Sequence, residues 1–431
     1  MGMTADDGGA SQAGGAEVPT EAGCSGPVAP RAPTRRFEAR RNAIIRSAVA
    51  EMNRNGVKGM TLGDVAARLD LVPTGVIYYF RNKEELAAAV FQAGIAAFEA
   101  LIAQSAGEAS EAERLAAFLR AYFDRALRVD RGEADPAPVF NDVRALNNAA
   151  VNEAYIQLFR SFRGLLAGPD RLPRLHRNAR AHLLMAQVFW IPAWRHQAEP
   201  TDYPRTAERM AAILSHGLMP KGAAWPAPRP LKLAPEDEAA QPASPELFLR
   251  AATRLINEEG YHGASVERIS ARLNVSKGAF YHHNETKDEL VAACFQRTFD
   301  VMWRAIHAAE AAGGSGLTVL ASAVTALIEH QTRGEAPLLR TSALTAVPVA
   351  FRPGLMERFN RISYRFASIL CDGIADGSIA PVDVNVASQM ISATINAAAD
   401  LHYWTPGMEP ETVVDHFVRP LFEGLASPPA P

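Results

Sequence analysis

The chain has 431 residues, 48% of them hydrophobic and 21% charged, which suits two to four domains with real cores. Its formal net charge of −3 excludes a protein that binds a polyanion with its whole surface. Three widely spaced cysteines form no metal-binding or disulfide pattern, so we predict no metal, no cofactor and a cytoplasmic location. No apolar run reaches the roughly 18 residues of a membrane span, so we predict no membrane segment.

The first 34 residues are rich in Gly, Ala, Pro and Ser and lack the basic start and apolar stretch of a signal peptide. We interpret residues 1–34 as a disordered arm. Arginines at its end are compatible either with a solubilising tail or with an arm that lies along a DNA backbone. They are Arg31, Arg35, Arg36, Arg40 and Arg41.

The chain repeats itself, because residues 42–95 align without a gap on residues 246–299. The matches fall on glycines, core positions and helix starts, which indicates one shape used twice. Residues 220–243 are dense in Pro and Ala, as is typical of a semi-extended linker. We therefore predict an arm (1–34), a DNA-binding domain (35–95, the first reader), a helical regulatory domain (96–219), the linker (220–243), a second DNA-binding domain (244–299, the second reader) and a second regulatory domain (300–426).

Four helices are predicted in each repeat. In the first, Gly56 ends helix one, Thr61 caps helix two, Pro73 begins a short third helix that runs to about Phe80, and Asn82 caps helix four. In the second, the corresponding positions are Gly260, Ser265, Ser276 with a third helix Lys277–His283, and Thr286.

The apolar spacing is helical nearly throughout, and no alternating strand pattern occurs, so the fold class is all-α. Two short helices joined by a tight turn and braced by a third helix make a helix-turn-helix. The second of the pair can enter the major groove of DNA. Tyr and His tips on that helix suit phosphate oxygens better than a packed core.

Two stretches, "TLGDVAARLDLVPTGVIYYFRNKEEL" (61–86) and "SVERISARLNVSKGAFYHHNETKDEL" (265–290), resemble the DNA-binding segment of the tetracycline-repressor (TetR/AcrR) family. The resemblance covers about 50 residues of each repeat. It implies two tandem units, each a three-helix DNA-binding domain followed by a helical ligand and dimerisation domain. It also implies a repressor that a small molecule releases from double-stranded operator DNA.

The resemblance also implies DNA-contacting residues. Phosphate contacts fall on Thr61, Tyr79 and Lys83, and on Ser265, His283 and Lys287, with Ser276 as a helix cap. Base edges would be met in the first reader by Pro73, Thr74, Gly75 and Tyr78. In the second reader they would be met by Lys277, Gly278, Ala279 and His282. Outside this pattern, each lysine would be read as a solvated charge at a helix start.

Both readers depart from the family pattern. The first has Val72 for a Ser cap, Thr74 for a Gly and Ile77 for a Tyr, whereas the second has Asn284 for a core Phe. Residues 31–83 hold eleven Lys and Arg against four Asp and Glu, whereas residues 244–290 hold six against seven. We therefore expect the first reader to supply most of the nonspecific DNA affinity.

Each regulatory domain ends in a pair of helices followed by Gly-Leu. In the first, the pair is predicted near 178–194 and 204–218, after helices near 84–104, 111–127, 139–146 and 151–166. In the second, the pair is predicted near 384–404 and 411–425. In the resembled family such pairs form a four-helix dimer interface. One chain could therefore build an internal pseudo-dimer that reads an asymmetric operator, and the alternative is a homodimer of chains.

Ligand-pocket candidates are aromatic, imidazole and guanidinium side chains on the apolar helices of the regulatory domains, although such residues more often belong to a core. They are Tyr155, His182, Trp190, Trp194, Trp303, His307, His330 and Arg333. Few charges on these helices favour an apolar or aromatic effector. We find no GxSxG, Walker loop or HExxH motif and predict no enzyme. Rival functions are an adaptor that has lost DNA binding and an architectural DNA protein.

Overall fold

A computed structural model describes residues 34–140, 143–166, 172–233, 245–259, 264–273, 286–334, 336–347 and 350–426. By its internal contacts the chain divides into Met1–Arg40 and Arg41–Pro431, and the packing described below lies within the second part. The described residues form helices and connecting segments without a strand, so the predicted all-α fold is confirmed.

The first half of the chain holds eight helices within its described residues. They are α1 Arg35–Gly59, α2 Leu62–Ala67, α3 Pro73–Ile77, α4 Lys83–Ser105, α5 Glu111–Asp130, α6 Ala149–Leu165, α7 Arg174–Trp194 and α8 Tyr203–His216. Helix α5 packs on α4 and α8, and α6 packs between α4 and α7. Gly56 has the positive φ of 68° that the sequence predicts for the end of the first helix.

The second half repeats this order. Its described helices are α9 Pro245–Glu259, α10 Val266–Arg272, α11 Lys287–Ala312, α12 Gly316–Arg333, α13 Arg352–Ala375, α14 Val384–Ala397, α15 Leu401–Trp404 and α16 Arg419–Glu423. Helix α12 packs between α11 and α13, and α13 packs on α14. The predicted third helix of the second reader lies outside the described residues.

One predicted helix of the first regulatory domain is wrong. The sequence predicts a helix near 139–146, but its described residues form only the 3-10 turn Arg144–Leu146. The backbone N–H of Val139 donates to the side-chain oxygen of Asn53 at 2.8 Å instead of to a helical carbonyl. Asn147, with a φ of 50°, then ends the turn.

The last two helices of the second half are interrupted. The predicted helix 384–404 contains the 3-10 turn Ala398–Asp400 between α14 and α15. The predicted helix 411–425 begins as a 3-10 turn, widens into a π turn at Val414–Val418 and becomes α-helical only in α16. Pro420 has no amide hydrogen for an α-helical bond, which accounts for an irregular turn just before it.

The part of the linker that the structure describes is packed rather than free. The Trp225 ring lies edge-on to Phe422, with ring centres 5.2 Å apart. The backbone N–H of Arg229 donates to the hydroxyl of Ser322 at 2.9 Å. Residues 220–233 therefore run without a helix along the second half of the chain.

The two halves are joined by helices α7 and α14, and we call this contact the seam. The side-chain amide of Gln187 donates to the Thr394 hydroxyl at 2.8 Å. Both residues stand at the same distance in sequence before the Gly-Leu pair that ends each half, Gly217-Leu218 and Gly424-Leu425. A residue that meets its own counterpart lies beside an approximate two-fold axis.

The Gly-Leu pairs themselves meet across the seam in a reciprocal way. A Cβ on Gly217 would lie 2.0 Å from the Phe422 carbonyl oxygen, and one on Gly424 would lie 2.4 Å from the Ser215 carbonyl oxygen. The Leu218 N–H donates to the Phe422 carbonyl at 2.8 Å. Both glycines have a positive φ, 75° and 97°. The seam therefore needs glycine at these positions because of this backbone conformation and because the two backbones approach too closely for a Cβ.

Helix α4 is one described helix that is long and apolar enough to cross a membrane by length and composition, with a mean hydropathy of 1.9. The prediction that no stretch of the sequence is apolar enough to span a membrane is therefore wrong, because α4 has the required length and composition. In the structure 61% of that stretch is buried, because α4 packs against α5 and α6. Burial on several sides is an ordinary cause of such a composition in a core helix.

Candidate nucleic-acid interface

The first reader is built on capped helices. The Thr61 hydroxyl accepts the N–H of Asp64 at 3.1 Å at the start of α2, as predicted. Val65, Val76 and Phe80 are buried between the helices. The Ser47 hydroxyl donates to the Val65 carbonyl at 3.1 Å and ties α1 to α2. These contacts hold α3 on a firm base, which a helix that enters a groove requires.

The residues predicted to meet DNA lie on the outer side of α3. The Tyr78 side chain is 74% exposed, Tyr79 is half-buried, and the two rings meet edge to face at 5.1 Å. Pro73 and Thr74 are exposed, and Gly75 is half-buried over Leu71. Helix α3 is shorter than predicted, since it ends at Ile77 rather than near Phe80.

The positions that depart from the family pattern in the first reader are also exposed. Val72 is 66% exposed and provides no side-chain cap for α3. Ile77 is 47% exposed. Both therefore stand on the same open surface as Tyr78, where an apolar side chain can contact a thymine methyl or a sugar.

Helix α4 begins as predicted, with the Asn82 side chain accepting the N–H of Glu85 at 2.8 Å. The Lys83 ammonium donates to the Lys58 carbonyl at 3.1 Å, at the end of α1. Lys83 is thus the first residue of α4, and its ammonium group contacts the last turn of α1. This position would carry its positive charge beside a bound phosphate.

The second reader keeps the caps within the described residues. The Ser265 hydroxyl accepts the N–H of Arg268 at 3.3 Å, and Thr286 forms a capping box with Glu289. Burial lowers the pKa of Lys287, and the like charge of Lys58 lowers it further. The other residues predicted to contact DNA lie outside the described residues, as does the departure at Asn284. They are Ser276, Lys277, Gly278, Ala279, His282 and His283.

Arginines of the second reader form ion pairs within the protein. Arg272 binds Glu258 through both terminal nitrogens, the shorter distance being 2.7 Å, and Arg250 binds Glu246 at 2.6 Å. Arg254 donates to the Gly334 carbonyl at 2.7 Å. Positive charge that is already paired contributes less to a phosphate contact.

A cavity of about 380 Å³ lies at the seam, and we call it the seam cavity. Tyr155, His182 and Trp190, three of the predicted pocket residues, line it. Trp194 does not line it and lies in the core against Phe123, with ring centres 6.5 Å apart. Because Trp194 is 5% exposed, its side chain serves packing.

The pocket residues predicted in the second half do not line the seam cavity. Trp303 and His307 stack on each other along α11 at 5.3 Å. Arg333 lies on the surface and pairs with Glu329 one helical turn away. Burial lowers the pKa of His330 to about 4, so its imidazole is neutral near pH 7.

Several residues of the seam cavity escape prediction from sequence. The first half contributes Phe140 and Phe189, stacked at 4.9 Å, and the second contributes Arg340, Thr341 and Asn396. Phe189 and Asn396 stand at equal distances before their Gly-Leu pairs, so the cavity crosses the approximate two-fold axis. Only an alignment of the two regulatory domains with each other could have signalled such a pairing.

His182 is a buried, neutral imidazole with a defined tautomer. Its Nε2 lies 2.8 Å from the Ala397 carbonyl oxygen, which only accepts hydrogen bonds, so Nε2 carries the proton. Burial lowers the pKa of His182 to about 4, although the bond to Ala397 opposes this shift. Its Nδ1 is therefore an acceptor, and it has no hydrogen-bond partner among the described residues.

A braced, capped helix-turn-helix with an exposed second helix, placed before a large helical bundle, has the geometry of a DNA-binding module. Two segments, residues 44–90 and 248–294, match the sequence profile of the family described as "Bacterial regulatory proteins, tetR family". The chain therefore carries two segments of the tetR family in tandem, which confirms the prediction from its motifs.

Known proteins are similar over parts of the chain. A stretch of 50 residues is 41% identical to the transposon Tn10 TetC protein of Escherichia coli and covers 12% of this chain and 25% of that protein. A stretch of 106 residues is 31% identical to the HTH-type transcriptional activator FasR of Mycolicibacterium smegmatis and covers 24% of this chain and 48% of that protein. The chain thus spans less than half of each of these two relatives. The crystal structure of apo AibR is similar at 21% identity over 42% of this chain and 99% of that one, with a TM-score of 0.36.

Proposed function

We propose that the chain is a sequence-specific DNA-binding repressor of transcription that a small molecule releases from its operator. The observation that carries this proposal is the exposed end of α3, where Tyr78 is 74% exposed and Tyr79 stands beside it. Val72 and Ile77 are exposed on the same surface, and a contiguous exposed apolar patch marks an interaction site. A protein that binds the chromosome acts in the cytoplasm, with the nucleoid.

Each side chain of the first reader has a role in this proposal. The Thr61 cap and the Lys83 ammonium hold phosphates on either side of the groove. Pro73, Thr74 and Gly75 bring the start of α3 close to base edges, and Tyr78 and Tyr79 contact the backbone with their hydroxyls. The basic balance of residues 31–83 supplies the attraction that does not depend on sequence.

We further propose that one chain acts as an internal pseudo-dimer. The reciprocal fit of Gly217 and Gly424 and the Gln187–Thr394 bond support this arrangement, because each half uses the same patch toward the other. The two readers would then meet two unlike half-sites, so the operator is asymmetric. Two chains on one minimal operator, measured by light scattering with DNA stoichiometry, would contradict the pseudo-dimer.

Matched asparagines offer a route from the seam cavity to the readers. Asn53 on α1 binds the Ala137 carbonyl and the N–H of Val139, a residue that lines the seam cavity. Asn257 on α9 binds the Leu338 carbonyl and the N–H of Arg340 in the same way. A ligand that shifts Val139 or Arg340 would move the first helix of a reader through these bonds.

The regulator proposal is tested by a gel shift with the DNA upstream of the chain's own gene. We expect the chain to bind that DNA against a large excess of unrelated DNA, and a variant with Tyr78→Ala and Tyr79→Ala to lose at least tenfold in affinity. Glu153→Ala, an exposed change on α6 away from the reader, is the matched control. A double variant that binds as tightly as the unchanged chain would overturn the proposal.

The direction of control is tested separately with a reporter gene behind the bound DNA. We propose repression, so deletion of the regulator should raise expression. The relative FasR is named as an activator, so a fall in expression after deletion would support activation instead.

A second candidate is a regulator in which only the first reader binds DNA. The charge balance favours it, because residues 244–290 hold six Lys and Arg against seven Asp and Glu, whereas residues 31–83 hold eleven against four. In that case a footprint on the operator covers a single half-site. Two protected half-sites favour the pseudo-dimer with two working readers.

A further inference from the structure

We propose that the seam cavity is the effector site, and that its ligand is an uncharged molecule with a flat apolar body and one hydroxyl group. This inference rests on the proposed regulator function and goes beyond it by naming the site, the number of ligands and their chemistry. It rests on the wall of the cavity, on two unpartnered polar atoms and on the charges around them.

The apolar wall of the seam cavity comes mainly from the first half. Phe140 lies nearly parallel to Phe189, with ring centres 4.9 Å apart and an angle of 17° between their planes. Tyr155 lies parallel to Phe140 at 5.9 Å and 20°. These rings stack on one another, so a ligand meets the outer face of the stack, which an aromatic or fused-ring body covers by offset stacking. The volume of about 380 Å³ is within the range of small-molecule sites.

The polar wall comes from the second half, with two imidazoles, His182 and His196, from the first. His182 is 3% exposed, and its Nδ1 is an unpartnered acceptor for the reasons given above. The Nε of Arg340 is a buried donor without a hydrogen-bond partner among the described residues. Both residues line the seam cavity. A buried polar atom without a partner costs free energy, so a ligand that satisfies it gains affinity and specificity.

A hydroxyl group can satisfy an acceptor or a donor. Its hydrogen can be donated to Nδ1 of His182, or its oxygen can accept from Nε of Arg340. An ether oxygen supplies only the acceptor, and a hydrocarbon supplies neither. The two unpartnered atoms therefore favour a hydroxyl over groups of similar size.

The charges around the seam cavity argue against an anionic ligand. The Arg340 guanidinium already binds the Asp400 carboxylate at 2.7 Å, and both residues line the cavity. His182 is neutral near pH 7 because burial lowers its pKa to about 4. A carboxylate ligand would have to displace Asp400 and leave that charge unpaired at a partly buried site.

The position of the cavity sets the number of ligands. Phe189 and Trp190 in the first half match Asn396 and Ala397 in the second, and all four line the same space. The two halves therefore share one cavity, and we expect one molecule per chain. The two sides differ chemically, so the ligand has a single orientation with its flat body toward the first half.

Equilibrium dialysis of the DNA-free full chain with 2-naphthol tests the inference, with 2-methoxynaphthalene and 2-naphthoate as matched probes. We expect one 2-naphthol per chain, with about tenfold weaker binding of the ether and of the carboxylate. Absence of saturable 2-naphthol binding, two molecules per chain, or 2-naphthoate as the best ligand would each overturn the inference.

Two variants locate the site. Ala186 lines the seam cavity, so Ala186→Leu fills it and should weaken 2-naphthol binding at least tenfold. Ala126 lines an adjoining cavity of about 150 Å³ that shares Phe140 and Phe189 with the seam cavity, so Ala126→Leu shows whether the ligand extends into it. Ala100→Leu, an exposed change on α4, is the control and should keep full affinity. Weaker binding by Ala126→Leu but not by Ala186→Leu would place the ligand in that other cavity.

His182→Gln tests the hydrogen bond without depending on overall affinity. A glutamine amide nitrogen can still donate to the Ala397 carbonyl, while its only acceptor, Oε1, does not occupy the position of the imidazole Nδ1. We expect the tenfold preference for 2-naphthol over 2-methoxynaphthalene to fall to near one, and an unchanged preference would overturn the role of His182. If the chain binds operator DNA but not 2-naphthol, only this inference is wrong. If the chain does not bind DNA, the regulator proposal is wrong.

Discussion

The two readers share a framework and differ in charge. Asn53 and Asn257 make the same pair of backbone contacts, and Thr61 and Ser265 cap equivalent helices. Around these shared positions, residues 31–83 hold eleven Lys and Arg against four Asp and Glu, whereas residues 244–290 hold six against seven. The ion pairs do not account for this difference, because Arg46 and Arg68 of the first reader are paired like their counterparts Arg250 and Arg272. The comparison teaches that the contacts that orient a helix-turn-helix can be kept while the charge that attracts DNA changes.

The largest expected effect concerns the seam, where the two halves are alike. Gly217→Ala places a Cβ 2.0 Å from the Phe422 carbonyl oxygen, in a backbone conformation that only glycine adopts easily. We expect the free energy of unfolding to fall by about 3 kcal/mol or more. Urea denaturation of the full chain measures this loss.

Gly132→Ala provides the control for the seam glycines. Gly132 also has a positive φ, 73°, but a Cβ there meets nothing within 4 Å among the described residues. We expect a loss of about 1 kcal/mol. Gly424→Ala should resemble Gly217→Ala, and a seam variant as mild as the control would contradict the reciprocal packing.

The next effect is a dependence of stability on pH that comes from a residue of the first half and has no counterpart in the second. His182 occupies the position that Gln389 has in the second half, counted back from the Gly-Leu pairs. Its pKa is about 4 when folded and near 6.5 when unfolded, so the unfolded chain takes up the proton first as pH falls. Stability should be level above pH 6.5 and fall by roughly 3 kcal/mol toward pH 4 from this group.

His182→Gln isolates that contribution, because the variant makes the two halves alike at this position. Denaturation at pH 7.5, 5.5 and 4.5 should show a shallower loss for the variant than for the unchanged chain. Other histidines, among them His330, lower stability over the same range in both proteins, so the difference between them is the quantity to compare. Parallel pH profiles would show that His182 does not titrate as its burial requires.

A smaller effect compares the two readers on DNA. Lys83→Ala should weaken operator binding about tenfold and lower the salt slope by about one, since a slope counts neutralised phosphates. The equivalent Lys287→Ala should change affinity by less than about threefold, because Lys287 stands in a reader whose basic residues do not outnumber its acidic ones. Fluorescence anisotropy across a range of salt measures both. Equal effects would show that the readers contribute alike.

The smallest effect concerns the asparagine contacts. Asn53→Ala removes bonds to the Ala137 carbonyl and to the Val139 N–H, and it should leave operator affinity within about threefold. It should, however, reduce the change in affinity that 2-naphthol causes, and Asn257→Ala should act in the same direction. If both variants respond to 2-naphthol like the unchanged chain, the route through these asparagines is excluded.

Local rules explain why the readers could be predicted in such detail. Thr61, Asn82 and Thr286 cap helices because each satisfies backbone N–H groups only three residues away. Gly56 ends a helix through its own backbone freedom. Such features depend on a few neighbouring residues, so they can be predicted from the sequence. The repetition of the module can be predicted in the same way.

Long-range contacts explain where prediction failed. The range 139–146 has apolar residues at helical spacing, yet its described residues form no α-helix. Its first residue is instead fixed to α1, because the Asn53 side chain, 86 residues away in sequence, accepts the Val139 N–H. Trp194 and Tyr155 look alike as aromatic residues on apolar helices, but only Tyr155 reaches the seam cavity. Which of two similar side chains faces a cavity depends on helix rotation against a partner that lies elsewhere in sequence.

The sequence by itself determined the helical class, the duplicated DNA-binding module and the capped helix starts, because these depend on periodicity and on contacts between near neighbours. The tertiary structure alone decided that Gly217 and Gly424 meet as counterparts, and that Arg340 and His182 face one space. Those pairs come together only when both halves have packed, since their contacts join a residue of the first half to a residue of the second.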